Sequence, residues 1–106
     1  MPRILVIEAM LPGTAGGEVL GVRWSQLDAA CLERIRPALV VCPLLTPDFD
    51  AIEAIERLGR LGWQGRLHVL LPALPNPGLV RRELQSFARD TAPAITVEVL
   101  ETLAAL

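Results

Sequence analysis

The fold is decided by residues 37–51, PALVVCPLLTPDFDA, where a short apolar run meets a polar loop. The run at 38–42 is apolar at every position, which is typical of a strand covered on both faces of its sheet. The loop holds hydroxyl and carboxylate residues and an early proline, the residue types that begin helices. Ile52, Ile55 and Leu58 then recur at helical intervals. This stretch therefore predicts a buried strand followed directly by an amphipathic helix, with Glu53, Glu56, Arg57 and Arg60 on its exposed side.

The same alternation continues on both sides of this stretch. Apolar runs predict further strands at residues 4–7, 67–71 and 95–99, and a weaker one at 21–24. The run at 95–99 alternates apolar and polar residues, as an edge strand does. Helices are predicted at 25–36, beginning at Ser25, and from Asn76-Pro77 to just before Pro93. Strands that alternate with helices, joined by right-handed crossovers, predict an α/β fold with an open parallel five-stranded sheet.

Composition limits the function further. The 106 residues are 52% hydrophobic and 21% charged, which predicts one domain spanning residues 1–106. A net charge of -2 provides no basic field for nucleic acid or an anionic membrane. All ten basic residues are arginine, so lysine-dependent catalysis is excluded, and tyrosine is absent. These absences rule out much catalysis. We also expect no nucleic-acid partner and, since no apolar run approaches ~20 residues, no membrane span.

Cysteine usage indicates the compartment. Cys31 and Cys42 both lie within apolar stretches, and the Met1-Pro2-Arg3 start leads into a short apolar run without a cleavage site. Two cysteines in such surroundings are typical of reduced thiols. We expect a cytoplasmic protein.

Residues 37–51 resemble the centre of response-regulator receiver domains, and the likeness extends over most of the chain. Receivers share the flavodoxin-like fold, with sheet order 2-1-3-4-5, which the resemblance implies here. In that family a strand ends in the phosphoacceptor aspartate and is followed by a Met-Pro-Asp-Met-Asp-Gly loop. Residues 46–51 fit the loop, but Pro43 occupies the aspartate position.

Other positions of the receiver site are also changed. The acidic pair after the first strand becomes Glu8-Ala9, the hydroxyl residue closing the fourth strand becomes Pro72, and no lysine exists to follow the fifth. Phosphorylation of an aspartate with Mg²⁺ needs a carboxylate nucleophile and several oxygen ligands. The resemblance therefore implies a degenerate receiver that cannot be phosphorylated and that needs no cofactor or metal.

The helices depart from the family pattern as well. The three predicted helices match those that cover one face of a receiver sheet, whereas the segments in the first and last helix positions, 9–20 and 101–106, are glycine-containing or short. The first and last helices are thus expected to be short or missing, which leaves one sheet face bare. Because monomers rarely expose large apolar patches, we expect a homodimer packed sheet against sheet, with a dedicated signalling partner as the rival.

The candidate site lies at the carboxyl edge of the sheet, where doubly wound folds bind their ligands. Its residues are Glu8, Cys42, Pro43, Thr46, Asp48 and Pro72. Cys42 is either a reactive thiol or a core residue, and the core interpretation is favoured because no lysine or paired histidine would lower its pKa. Asp48 is more simply explained by the helix dipole than by a metal.

Two further sets of residues have alternative interpretations. Arg81, Arg82 and Trp63 are candidate partner contacts, because an exposed arginine pair beside Trp63 or Phe87 could anchor a partner. The arginines are most simply explained, however, as a solvated helix face. His68 is interpreted as a packed or edge residue rather than a ligand, because no second histidine or cysteine stands at metal spacing.

These observations favour a non-catalytic signalling or regulatory protein-interaction module that acts through dimerisation or partner binding. The alternative is a small-molecule-binding or thiol-dependent α/β protein that uses the carboxyl edge of the sheet. A structural subunit of a larger assembly is the third hypothesis.

Overall fold

A computed structural model describes residues 3–8, 18–72 and 74–101. Its strands are β1 (Arg3–Ile7), β2 (Glu18–Val22), β3 (Leu39–Pro43), β4 (Gly65–Leu71) and β5 (Ile95–Glu101). Its helices are α1 (Ala29–Ile35), α2 (Ala51–Arg60) and α3 (Pro77–Thr91), and a 3₁₀ turn covers Trp24–Gln26. Segments 9–17 and 102–106, which contain most of the expected first and last helix positions, lie outside the described residues.

The five strands form one parallel sheet in the order β2-β1-β3-β4-β5. This is the flavodoxin-like arrangement, and it confirms the predicted α/β class and strand order. Strand β2 begins earlier than the predicted 21–24, because its five residues pair in register with all of β1, from Arg3 with Glu18 to Ile7 with Val22. The predicted edge strand is confirmed: Ile95, Val97 and Val99 of β5 are buried and the residues between them are exposed.

Side-chain caps fix where the helices begin. The Asp50 carboxylate accepts a hydrogen bond from the Glu53 N–H, and the Asn76 side chain accepts one from the Leu79 N–H, so the predicted starts of α2 and α3 are confirmed. The predicted start of α1 at Ser25 is wrong. The Asp28 carboxylate accepts from the Cys31 N–H at 2.8 Å and caps the helix, because residues 24–26 form the separate 3₁₀ turn.

All three helices pack on one face of the sheet. Their buried residues, including Leu32, Ile55, Leu58 and Leu84, belong to one core with every second residue of the strands, including Leu5, Val40, Leu67 and Val97. Arg3 lies at the end of α1, where its guanidinium donates to the carbonyls of Arg34 and Ile35. The strand residues between these core positions point away from the helices and form a second face of the sheet.

The second face comprises the strand residues that alternate with this core. By register its members are Val19, Gly21, Ile4, Val6, Leu39, Val41, Pro43, Arg66, His68, Leu70, Thr96, Glu98 and Leu100. No helix in the described part of the chain contributes to it, as expected. The expectation that the face is bare is nevertheless wrong at its centre, since Val6 and Val41 are only 2% and 3% exposed. Its exposed apolar residues lie toward the outer strands, where Val19 is 39% and Leu100 43% exposed.

Within the described residues, no helix has both the length and the apolar composition needed to cross a membrane.

Candidate functional site at the carboxyl edge of the sheet

The ends of β1, β3 and β4 bring the predicted site residues to one edge, but in two separate places. Glu8 and Asp48 line a polar cleft of about 520 Å³ together with Arg23, Trp24 and Ser25. Pro43 and Pro72 line an apolar cleft of about 430 Å³ with Leu44, Leu45, Leu70 and Leu74. The edge is therefore divided into a polar part beside β1 and an apolar part beside β3 and β4.

Glu8 holds the end of β1 against the chain that follows β2. Its carboxylate accepts a hydrogen bond from the Trp24 N–H at 3.1 Å, and its own N–H donates to the Val22 carbonyl at 2.9 Å. Its φ of 48° lies in the left-handed region, which is uncommon for a residue with a side chain. One oxygen of the Glu8 carboxylate is thus engaged in holding the backbone.

Thr46 organises the loop between β3 and α2. Its Oγ1 accepts hydrogen bonds from the N–H groups of Asp48 and Phe49 and donates one to the Phe49 carbonyl at 3.0 Å. Leu45 and Asp50 close the loop through an isolated antiparallel bridge. The Thr46 hydroxyl is therefore engaged within the loop, and Asp48 is left exposed at its rim.

An aromatic and cationic cluster anchors this loop. The rings of Phe49 and Trp24 stack with centroids 4.3 Å apart, and Phe49 is only 2% exposed. The Arg57 guanidinium lies 3.8 Å from the centre of the Trp24 ring and donates to the Trp24 carbonyl at 2.9 Å. The expectation that Arg57 lies on the exposed side of α2 is therefore wrong, because it packs on a residue that is distant in sequence.

Cys42 lies on the helix-covered face and is fully buried. Burial raises the pKa of its thiol from the ordinary 9.0 to about 12, because a thiolate loses its hydration there. Cys42 lines neither cleft at the carboxyl edge. Its position favours the core interpretation over a nucleophile.

Pro43 and Pro72 set the chemistry of the apolar cleft. Pro43 is the last residue of β3, the position where the resemblance to receivers places the phosphoacceptor, and its side chain has no oxygen. Pro72 directly follows β4 and likewise has no hydroxyl group. These two positions present apolar surface where the receiver pattern has polar groups.

The expected grouping of Trp63 with Arg81 and Arg82 is wrong. Trp63 is 9% exposed and its ring N–H donates to the Pro37 carbonyl, so it is a core residue. It precedes β4, at the amino edge of the sheet, whereas Arg81 and Arg82 are exposed near the start of α3, which follows the carboxyl end of β4. The structure therefore places a buried ring and two solvated cations at opposite edges.

His68 lies in the second face, away from the carboxyl edge. Its Nε2 is 3.3 Å from a carboxylate oxygen of Glu98, the residue opposite it in β5. The 20% exposure of its side chain agrees with the packed interpretation.

The fold and its edge define the class as a flavodoxin-like α/β domain whose carboxyl edge is partly apolar. No family model matches the chain, and neither a curated protein nor a solved structure matches it.

Proposed function

We propose that this protein is a non-catalytic signalling or regulatory module, a receiver-like domain that acts in the cytoplasm through dimerisation or partner binding. Its receiver-like strand order, 2-1-3-4-5, supports this class only by analogy. Two free, buried cysteines are in keeping with a reducing compartment.

One observation carries the proposal: at two positions of the carboxyl edge where the receiver pattern has oxygen-bearing side chains, this chain has proline. Pro43 stands in the acceptor position, Pro72 in the hydroxyl position, and the Glu8 carboxylate is hydrogen-bonded to the Trp24 N–H. Transfer of a phosphoryl group to the protein requires a nucleophile and electrostatic stabilisation of the phosphoryl oxygens. Binding of another protein requires only a complementary surface, and the apolar cleft at this edge can provide one.

Dimerisation through the second face is supported by its exposed groups. Val19 and Leu100 present apolar surface on the outer strands, and Arg66 and Glu98 place opposite charges on neighbouring strands. In a twofold dimer the same patch of both subunits forms the interface. Arg66 of one copy can therefore pair with Glu98 of the other. We infer that a second copy packs on this face.

The alternative, a small-molecule or thiol-dependent function at the carboxyl edge, draws on the apolar cleft of about 430 Å³. That size is within the range of small-molecule sites. Few polar groups converge there, and the buried Cys42 does not line it. The interaction role therefore fits the geometry better.

Light scattering across a dilution series tests the dimer. We expect the mass of two chains for the natural sequence and a lower mass for Arg66→Glu, because the substitution leaves like charges facing each other. Adding Glu98→Arg to that variant should restore the dimer. Arg81→Glu makes the same charge change on exposed α3 and should leave the mass unchanged. A monomer at every concentration would contradict the proposed dimer.

A further inference from the structure

We propose that the carboxyl edge docks an amphipathic segment of a partner protein, one that presents apolar side chains beside basic residues. The docking surface is a ridge, Leu44-Leu45, with an apolar hollow on each side. One hollow is the apolar cleft described above, and the other is a groove of about 300 Å³ lined by Asp50, Ala51, Ile52, Val80, Glu83 and Leu84. This inference rests on the proposed interaction role and adds the chemistry of the partner.

Exposed apolar side chains lie on the ridge and on the helix beside it. Leu45 is 74% exposed, and Leu44 and Leu45 line both hollows. Leu79, at the start of the neighbouring α3, is 46% exposed. Apolar surface of this kind favours association, since covering it removes it from water. The two hollows flanking the ridge can receive apolar side chains spaced along one face of a helix.

The charge of the groove selects the partner. Asp50 and Glu83 line it, and Asp48 is exposed on the same loop. Among the described residues no ion pair joins these three carboxylates to a cation. Arg81 and Arg82 do not line the groove, whereas Val80, Glu83 and Leu84 of the same helix do. An acidic rim around an apolar groove is complementary to apolar side chains flanked by lysine or arginine.

Two synthetic helical peptides test this inference by fluorescence anisotropy. Both carry leucine at positions i, i+3, i+4 and i+7, and they differ only in having lysine or glutamate at the remaining positions. We expect the lysine peptide to bind roughly tenfold more tightly or better, because the groove rim is acidic. Leu45→Ser should weaken that binding by at least about tenfold, since it removes the central apolar contact.

Matched charge variants separate docking from general attraction to an acidic protein. Glu83→Gln should weaken the lysine peptide several-fold, whereas Glu56→Gln, an identical change on the exposed side of α2, should have no effect. Equal binding of both peptides, equal effects of the two glutamate variants, or full binding by Leu45→Ser would overturn the inference. So would dissociation of the dimer by Leu45→Ser, since a second copy would then occupy the ridge. Failure of the peptides alone would leave the second-face dimer, tested through Arg66, unaffected.

Discussion

Cys42 should react with iodoacetamide at least about a thousandfold more slowly in the folded chain than in the unfolded chain at pH 8. The thiolate is the reacting species, and a rise in thiol pKa from 9.0 to about 12 lowers the thiolate fraction at pH 8 about a thousandfold. Burial further restricts access of the reagent, because the side chain is 0% exposed. Mass spectrometry of the digested chain measures Cys42 separately from Cys31.

The same pKa shift predicts how stability depends on pH. Between pH 9 and 12 the unfolded chain releases the Cys42 proton while the folded chain retains it, so the free energy of unfolding falls as pH rises. One such group changes it by roughly 1.4 kcal/mol per pH unit in that range, and contributes no such loss below pH 9. Fast stoichiometric alkylation of native Cys42 at neutral pH would contradict the core assignment and favour the thiol-dependent alternative.

Phe49→Ala should lower the free energy of unfolding by about 3 to 5 kcal/mol, the loss typical of a buried phenylalanine. Phe49 is 2% exposed and stacks on Trp24, so its removal leaves a cavity between the loop and the 3₁₀ turn. The substitution also removes the stacking partner of the Trp24 ring, on which Arg57 packs. Urea unfolding, followed by the fluorescence of the two tryptophans, measures the change.

Leu45→Ala is the matched control because it shortens an apolar side chain of the same loop that is 74% exposed. We expect a change within about 0.5 kcal/mol, as for most surface substitutions. Similar losses for the two variants would show that the loop, rather than the ring contact, determines stability. The claim that the Phe49 ring anchors the loop would then be wrong.

The fold was predictable because its signals are local. Apolar runs such as 38–42 and 67–71 define buried strands by their own composition, and Asp50 and Asn76 cap helices through residues three positions away. The strand order followed from the resemblance of residues 37–51 to receiver domains. Where two local signals compete, as Ser25 and Asp28 do before α1, periodicity alone did not identify the cap.

The contacts that build the candidate site were not predictable from local patterns. Arg57 follows the helical period as an exposed residue, yet it bonds the carbonyl of Trp24, 33 residues earlier. Trp63 was a candidate partner contact by sequence, but its ring N–H donates to the Pro37 carbonyl, 26 residues away. Glu8 was predicted at the edge, but its role depends on where the chain after β2 brings the Trp24 N–H. Such pairings are set by tertiary packing, which spacing along the chain does not encode.

We propose that this flavodoxin-like domain acts without phosphoryl transfer, and the decisive experiment is intact-mass spectrometry after incubation with acetyl phosphate and Mg²⁺. A receiver domain that retains its acceptor aspartate serves as the positive control under the same conditions. We expect an unmodified mass, because Pro43 supplies no nucleophile and the Glu8 carboxylate holds the Trp24 backbone. A stoichiometric gain of one phosphoryl group that requires Mg²⁺ would contradict it.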